Sequence, residues 1–183
     1  MKILETLRLK PKQKDVSQLY ALIVTQARQP VFYNVLGVPD TVNGRYDVIV
    51  LHAYFVMKRL KELGTEAGST SQALFDYMFL DMDKNLREMG IGDLSVGKKI
   101  KGMATAFYGR IKAYDEGLEA GNEQLADSLR RNIFVDSEPA EIQITAMSNF
   151  ISNQVRLSSS WSFGDIENAK IKFITPASND TKI

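Results

Sequence analysis

Apolar side chains recur every three or four residues from about residue 15 to residue 160, the period of helices with one face turned to a core. The first predicted helix runs near Asp15 to Gln29 and carries Val16, Leu19, Ile23 and Ala27 on one face. After Pro30, the stretch Gly37-Val38-Pro39-Asp40 reads as a connection, since Gly and Pro punctuate regular structure. A second helix is expected from about Asn43 to Leu63. Its Tyr46, Val50, His52, Ala53, Phe55, Met57 and Leu60 surround the axis almost completely, which predicts a central position.

Gly64 ends that helix, and Gly68-Ser69-Thr70-Ser71 offers capping hydroxyls to the next. The third helix is expected over Ser71 to Met89, with Phe75, Met78, Phe79, Met82, Leu86 and Met89 on one stripe and Gly90 as its left-handed stop. A short loop, Ile91 to Leu94, leads to a fourth helix capped by Ser95 and reaching about Leu118. Its apolar face is Val96, Ile100, Met103, Phe107, Ile111, Tyr114 and Leu118. Another face holds Gly102, Ala106, Gly109 and Ala113. Each interior Gly costs a helix about 1 kcal/mol against Ala, so this seam predicts close packing of another element, or a groove for a partner. Asn122 caps a short fifth helix to Ile133, and Asp136-Ser137-Glu138-Pro139 starts a sixth that continues to Ser158. From Trp161 the pattern loosens into a tail lying on the bundle or partly disordered. The expectation is an all-α, single-domain bundle of about six helices, with a leader at 1–14, a helical domain at 15–160 and an irregular tail at 161–183.

Composition narrows the function. The 183 residues carry a net charge of +1, no Cys and one His. Disulfides, thiolate metal sites and Cys nucleophiles are excluded, and no global field steers nucleic acid. The longest apolar run, Val48 to Met57, contains His52 and is far short of the about 20 residues a membrane span needs. The leader is locally basic (Lys2, Arg8, Lys10, Lys12 and Lys14 against Glu5), and Ile3, Leu4 and Leu7 can share a face. It reads as a solvated basic segment, with a membrane-surface helix as the alternative.

Motifs with chemical overtones fail on inspection. Gly92 to Lys99 approaches a phosphate-binding loop, but Lys99 stands where a Ser or Thr hydroxyl must bind Mg²⁺, and the motif follows a helix rather than a strand. Asp81-Met82-Asp83-Lys84-Asn85 opens like a calcium loop, yet Leu86 replaces the required Gly and Gly92 the final Glu. His52 reads as a hydrogen-bonded core residue; an acid–base role would need Asp76 or Asp83 beside it. Asp76 and Asp83, two turns apart on one face, stand about 10 Å apart along the axis, and Arg87 is better placed as the ion-pair partner of Asp83. No cofactor and no metal are expected, and no enzymatic constellation emerges.

The block from Ala73 to Arg110, including Leu80-Asp81-Met82-Asp83-Lys84-Asn85-Leu86-Arg87-Glu88-Met89-Gly90-Ile91-Gly92-Asp93-Leu94-Ser95, resembles the signature of the ubiquinol–cytochrome c chaperone family. Phe32-Tyr33, Gly44-Arg45-Tyr46-Asp47, Leu51-His52 and the region of Asn132 and Ile133 fit the same family, so the resemblance covers about residues 15 to 135. It implies a helical, non-enzymatic assembly factor for the cytochrome bc1 complex. Mitochondrial members bind newly made cytochrome b and work with a small partner protein at the ribosome. With no evident transit peptide, this chain resembles a bacterial member acting in the cytoplasm or peripherally at the inner membrane, with no nucleic-acid partner of its own.

The expected partner-binding face lies on the two helices around Gly90. It combines Asp76, Tyr77, Leu80, Asp83, Arg87 and Asp93 with Lys98, Lys101, Tyr108 and Arg110, the mixture of aromatic, aliphatic and charged groups common at interfaces. An ordinary solvated face is the alternative. A second function class is a carrier of a hydrophobic ligand such as quinone or lipid, with Phe75, Met78, Phe79, Met82, Met89, Met103 and Phe107 lining the pocket; such stripes are more often plain core.

Overall fold

The computed structural model describes residues 14–135 and 137–176. Eight α-helices and no strand occur among them: α1 (Ser17–Ala27), α2 (Val31–Asn34), α3 (Val42–Glu62), α4 (Gly68–Glu88), α5 (Asp93–Ala120), α6 (Asn122–Asn132), α7 (Glu141–Ser158) and α8 (Phe163–Glu167). The all-α architecture is as expected, with two additional short helices. α2 is a single turn whose Phe32 is buried. α8 is capped by Ser162, whose Oγ accepts from the Asp165 amide while the Asp165 carboxylate accepts from the Ser162 amide.

α3 is the axis of the fold. Every residue from Val48 to Val56 is buried, matching its nearly all-round apolar sequence. Thr41 begins it by accepting a hydrogen bond from the Gly44 amide at 3.1 Å. Gly44 is required there for space: a Cβ would stand 2.0 Å from the Pro39 carbonyl oxygen. α1, α4, α5 and α7 all pack on α3, and α6 doubles back along the C-terminal half of α5.

Several expected helix starts move. α4 begins at Gly68, so Ser69 to Ser71 lie within its first turn rather than capping it. α5 begins at Asp93 with Gly92 as its N-cap, absorbing Ser95 into the helix. α7 begins at Glu141, after Pro139; Asp136 lies outside the described residues. There the Gln143 side chain caps instead, its Oε1 accepting from the Ala140 amide and its Nε2 donating to the Val35 carbonyl. Gly90 has φ of 82°, the left-handed conformation expected of a helix stop.

The C-terminal segment lies on the bundle as far as residue 176. Trp161, Ile166 and Ile171 are buried. Arg59 Nε donates to the Trp161 carbonyl at 2.9 Å, and the Ile174 amide donates to Gln154 Oε1 at 2.7 Å. The basic leader, Met1 to Gln13, lies outside the described residues, as does the chain after 176.

The small-residue seam on α5 is not a tight contact throughout. Ser128 Oγ of α6 donates to the Ala113 carbonyl, but a Cβ on Gly102 or Gly109 would meet nothing within 4 Å. The close approach occurs instead at Gly117, whose Cβ would stand 2.9 Å from the Leu125 backbone. Gly109→Ala should therefore stabilise the protein by about 0.5–1 kcal/mol, as an exposed helical glycine does. Gly44→Ala should destabilise it by more than about 2 kcal/mol, because backbone must move. Urea unfolding of the two variants, side by side, checks both signs.

Candidate functional site

The apolar face of α5 packs on α4 through a run of aromatic rings. Phe75 contacts Phe79 at 4.6 Å, Phe107 at 5.4 Å and Tyr108 at 5.3 Å between centroids. Phe79 and Phe107 close the core. Tyr108 lies nearly parallel to Phe75 with 58% of its surface still exposed. Beside this pair, α3, α4 and α5 diverge to leave an open groove of about 380 Å³. Tyr54, Met57, Phe75, Phe107, Tyr108 and Ile111 form its apolar walls, and Lys58, Lys61, Gln72 and Asp115 its polar parts.

A polar network holds one wall. Tyr54 donates to Asp115 Oδ1 at 2.8 Å, and Lys58 Nζ donates to the same oxygen at 3.0 Å. Burial and then the Asp115 carboxylate push the Tyr54 phenol far above its ordinary range, so it serves as a fixed donor. Lys58 also lies 3.9 Å from Glu62.

The expected partner-binding residues fall into distinct places. Asp76, Leu80, Asp83 and Arg87 form one ridge along α4, with Leu80 69% exposed. Arg87 binds Asp83 at 2.6 Å and also pairs with Asp93 across the turn. Asp76 accepts from Gln72. Tyr77 turns toward α1, edge-on to Tyr20 at 5.4 Å. Lys98 and Lys101 stand exposed on the outer side of α5, and Tyr108 lines the groove. Arg110 does not share this exterior face. It turns inward, where its Nη2 meets Asp47 Oδ1 of α3 at 2.7 Å with both side chains largely covered, and it lies over the Tyr46 ring.

The other candidates resolve as structure. Among the described residues, no group of His, Cys, Asp and Glu can hold a metal ion. Asp81 and Asn85 lie mid-helix, with Asn85 donating to the Asp81 side chain and Tyr20 donating to it from α1. The Met and aromatic stripe mostly fills the core: Met78, Phe79 and Phe107 are buried, Met89 is exposed, and of the seven only Phe75 and Phe107 reach the groove. His52 is fully buried among Phe32, Phe55, Phe150 and Phe173, with no carboxylate acting on it among the described residues. Its Nδ1–H donates to the Val48 carbonyl at 2.8 Å, while Nε2 has no partner among the described residues.

Sequence reasoning missed the groove's Met57, Lys58, Lys61 and Asp115 and the Asp47–Arg110 pair. One signal was present for the pair: Asp47 is an acid directly before the apolar run Val48 to Phe55, and a buried charge requires a counter-charge.

The fold described above is that of the ubiquinol–cytochrome c chaperones. The family's sequence model, described as Ubiquinol-cytochrome C chaperone, matches residues 34–173, and the chain belongs to that family. It is 27% identical over 116 residues to the ubiquinol-cytochrome-c reductase complex assembly factor 1 of Xenopus laevis, covering 63% of this chain and 58% of that one. It is also 27% identical over 149 residues to the mitochondrial protein CBP3 of Saccharomyces cerevisiae, covering 79% of this chain and 44% of that one. The chain thus spans about half the length of these relatives. A crystal structure of the Cbp3 homolog from Brucella abortus superposes with a TM-score of 0.77 at 34% identity, covering 87% of this chain and 88% of that one. The family match includes α7 and the segment through Phe173, beyond the region where the sequence alone carried the resemblance.

Two measurements test the interior. Burial pushes the His52 pKa down to about 4, against a smaller upward pull from the Val48 carbonyl. An imidazole depressed this way contributes stability above its unfolded pKa near 6.5, and that stability drains away as pH falls toward 4. The drain is about 1.4 kcal/mol per pH unit. In His52→Leu, urea unfolding between about pH 6.5 and pH 4 should show a correspondingly shallower slope than wild type. Arg110→Met, which removes the counter-charge of a buried acid, should cost about 3 kcal/mol, and adding Asp47→Asn should recover part of it. A double-mutant cycle reads the coupling directly.

Proposed function

We propose that this chain is a non-enzymatic assembly factor for the cytochrome bc1 complex, holding newly made cytochrome b through the α4–α5 face. The observation that carries the reading is the family match over residues 34–173, joined to a preformed apolar groove on the helices that hold the family signature. The Xenopus laevis relative named above is a ubiquinol-cytochrome-c reductase complex assembly factor. Cytochrome b is a membrane subunit, and an apolar segment awaiting its partners needs a surface that covers it. The groove supplies apolar walls from Phe75, Tyr108 and Ile111, with Lys58, Lys61 and Asp115 at its polar edge. The ridge Asp76, Leu80, Asp83 and Arg87, together with Asp93, Lys98 and Lys101, provides flanking charge for register and encounter. Tyr77 serves as an aromatic rim residue. Arg110 contributes by fixing α5 on α3 rather than by touching the client.

No helix among the described residues is long and apolar enough to cross a membrane. We place the chain in the cytoplasm, acting peripherally at the inner membrane where bc1 subunits insert. A carrier of quinone or lipid is the competing reading, because the groove is apolar and open to solvent.

An affinity pull-down from the native host in mild detergent separates the two. Enrichment of cytochrome b, with loss of assembled bc1 complex in the deletion strain, is the expected result. Complementation with Asp76→Lys/Leu80→Lys, both exposed on the α4 ridge, should lower bc1 yield several-fold while the purified variant keeps its wild-type melting curve. Normal bc1 in the deletion strain would remove the assembly reading, and a quinone or lipid in native mass spectra of the purified protein would favour the carrier.

A further inference from the structure

The far end of the α4–α5 hairpin carries apolar side chains that the fold does not use. Leu94, in the first turn of α5, is 99% exposed, and Met89, the C-cap of α4, is 56% exposed. The turn between them is well formed: the Gly90 amide donates to the Arg87 carbonyl and the Ile91 amide to the Leu86 carbonyl. Arg87 further ties the two helices by holding both Asp83 and Asp93. The two apolar side chains are therefore presented from a braced tip.

This tip has a net positive charge. From Asp83 to Lys101 the chain carries a net charge of +2. Its acids are engaged, Asp83 and Asp93 by Arg87 and Glu88 by Lys84 at 3.7 Å. Lys98, Lys99 and Lys101 are exposed and have no ion-pair partner among the described residues. Leu94, Lys98 and Lys101 follow one another at i, i+4 and i+7, so they share a stripe of α5, and Lys99 flanks it.

We propose that this tip is a membrane-surface contact, with Met89 and Leu94 entering the boundary between headgroups and acyl chains of an anionic bilayer while Lys98, Lys99 and Lys101 meet lipid phosphates. Apolar tips backed by lysines whose stems reach outward suit that boundary. Each lysine near an anionic surface is worth about a fivefold gain in partitioning, and burial of the Leu94 side chain adds about tenfold or more. The contact is peripheral, in keeping with described helices none of which can span a bilayer. The contact does not depend on which client the groove takes.

Vesicle co-sedimentation of the full chain tests the proposal, and no client is present, so its outcome does not bear on the assembly reading. The chain should bind vesicles of phosphatidylcholine with about a third phosphatidylglycerol. Binding should be lost on pure phosphatidylcholine and in about 0.5 M salt. Met89→Asp/Leu94→Asp and Lys98→Glu/Lys101→Glu should each reduce partitioning at least about tenfold. Leu94→Asp places a carboxylate in the first turn of α5, where the helix dipole favours it, so its thermal unfolding should match wild type. The chain has no Cys, so Leu94→Cys takes a single environment-sensitive dye, whose emission should shift to the blue only with anionic vesicles. Lys2→Glu/Lys10→Glu/Lys12→Glu in the leader should leave most of the binding and the dye shift in place. Absence of vesicle binding by the wild type, wild-type binding by the Met89/Leu94 variant, or loss of all binding through the leader variant alone would each overturn the proposal.

Discussion

A helix that is apolar around its whole circumference cannot be covered by one layer of neighbours, and α3 imposes that condition on the entire chain. Its buried run from Val48 to Val56 has β-branched residues at four of nine positions, which lowers intrinsic helix propensity. The helix is therefore held by what surrounds it rather than by its own backbone preference. α1, α4, α5 and α7 each close one sector. The C-terminal segment closes another, bringing Phe173 within 5.2 Å of the His52 ring and Trp161 against Phe173. What reads in sequence as a loose tail is thus part of the wall of the core.

Polar ties then decide how each covering element is seated. Asp47 to Arg110 fixes α3 on α5, Tyr54 and Lys58 to Asp115 fix the same pair two turns on, and Arg59 to the Trp161 carbonyl anchors the C-terminal segment. These groups are covered enough that leaving one without its partner is costly. They are concentrated toward the second half of α5. In the first half, Val96 is the sole fully buried residue before Phe107. The hairpin of α4 and α5 is consequently rooted at one end and presented to solvent at the other.

Periodicity made the long helices legible because an amphipathic stripe survives any detail of packing; α3, α4, α5 and α7 stand within a few residues of expectation. Helix starts were less so. Ser69 and Ser95 can cap, but Gly68 and Asp93 already lie within α4 and α5, which begin without a side-chain cap. α2 was too short for a periodic signal. The α4–α5 face was legible as a mixture of residue types but not as a surface, since whether Tyr77 meets α1 or Arg110 turns toward Asp47 depends on where α1 and α3 lie. Gly102 and Gly109 misled for the same reason: spacing identifies a flat stripe, and only the end of α6 decides how much of it is covered.

The groove gains from being built of side chains already ordered for other reasons. Binding an apolar segment costs the entropy of immobilising whatever contacts it. Tyr108 is stacked on Phe75, Phe75 is packed on Phe79 and Phe107, and Phe107 is fully buried, so the exposed ring face is backed by three rings that need not move. Aromatic surfaces of this kind bury large area with few rotatable bonds. Leu80, projecting from the α4 ridge at 69% exposure, has no such backing and would order only on contact. The two halves of the face therefore differ in what they offer. The groove provides a rigid seat, and the ridge, with charges held in pairs by Arg87, provides a rim that can reject a wrongly charged partner at little cost to a correct one.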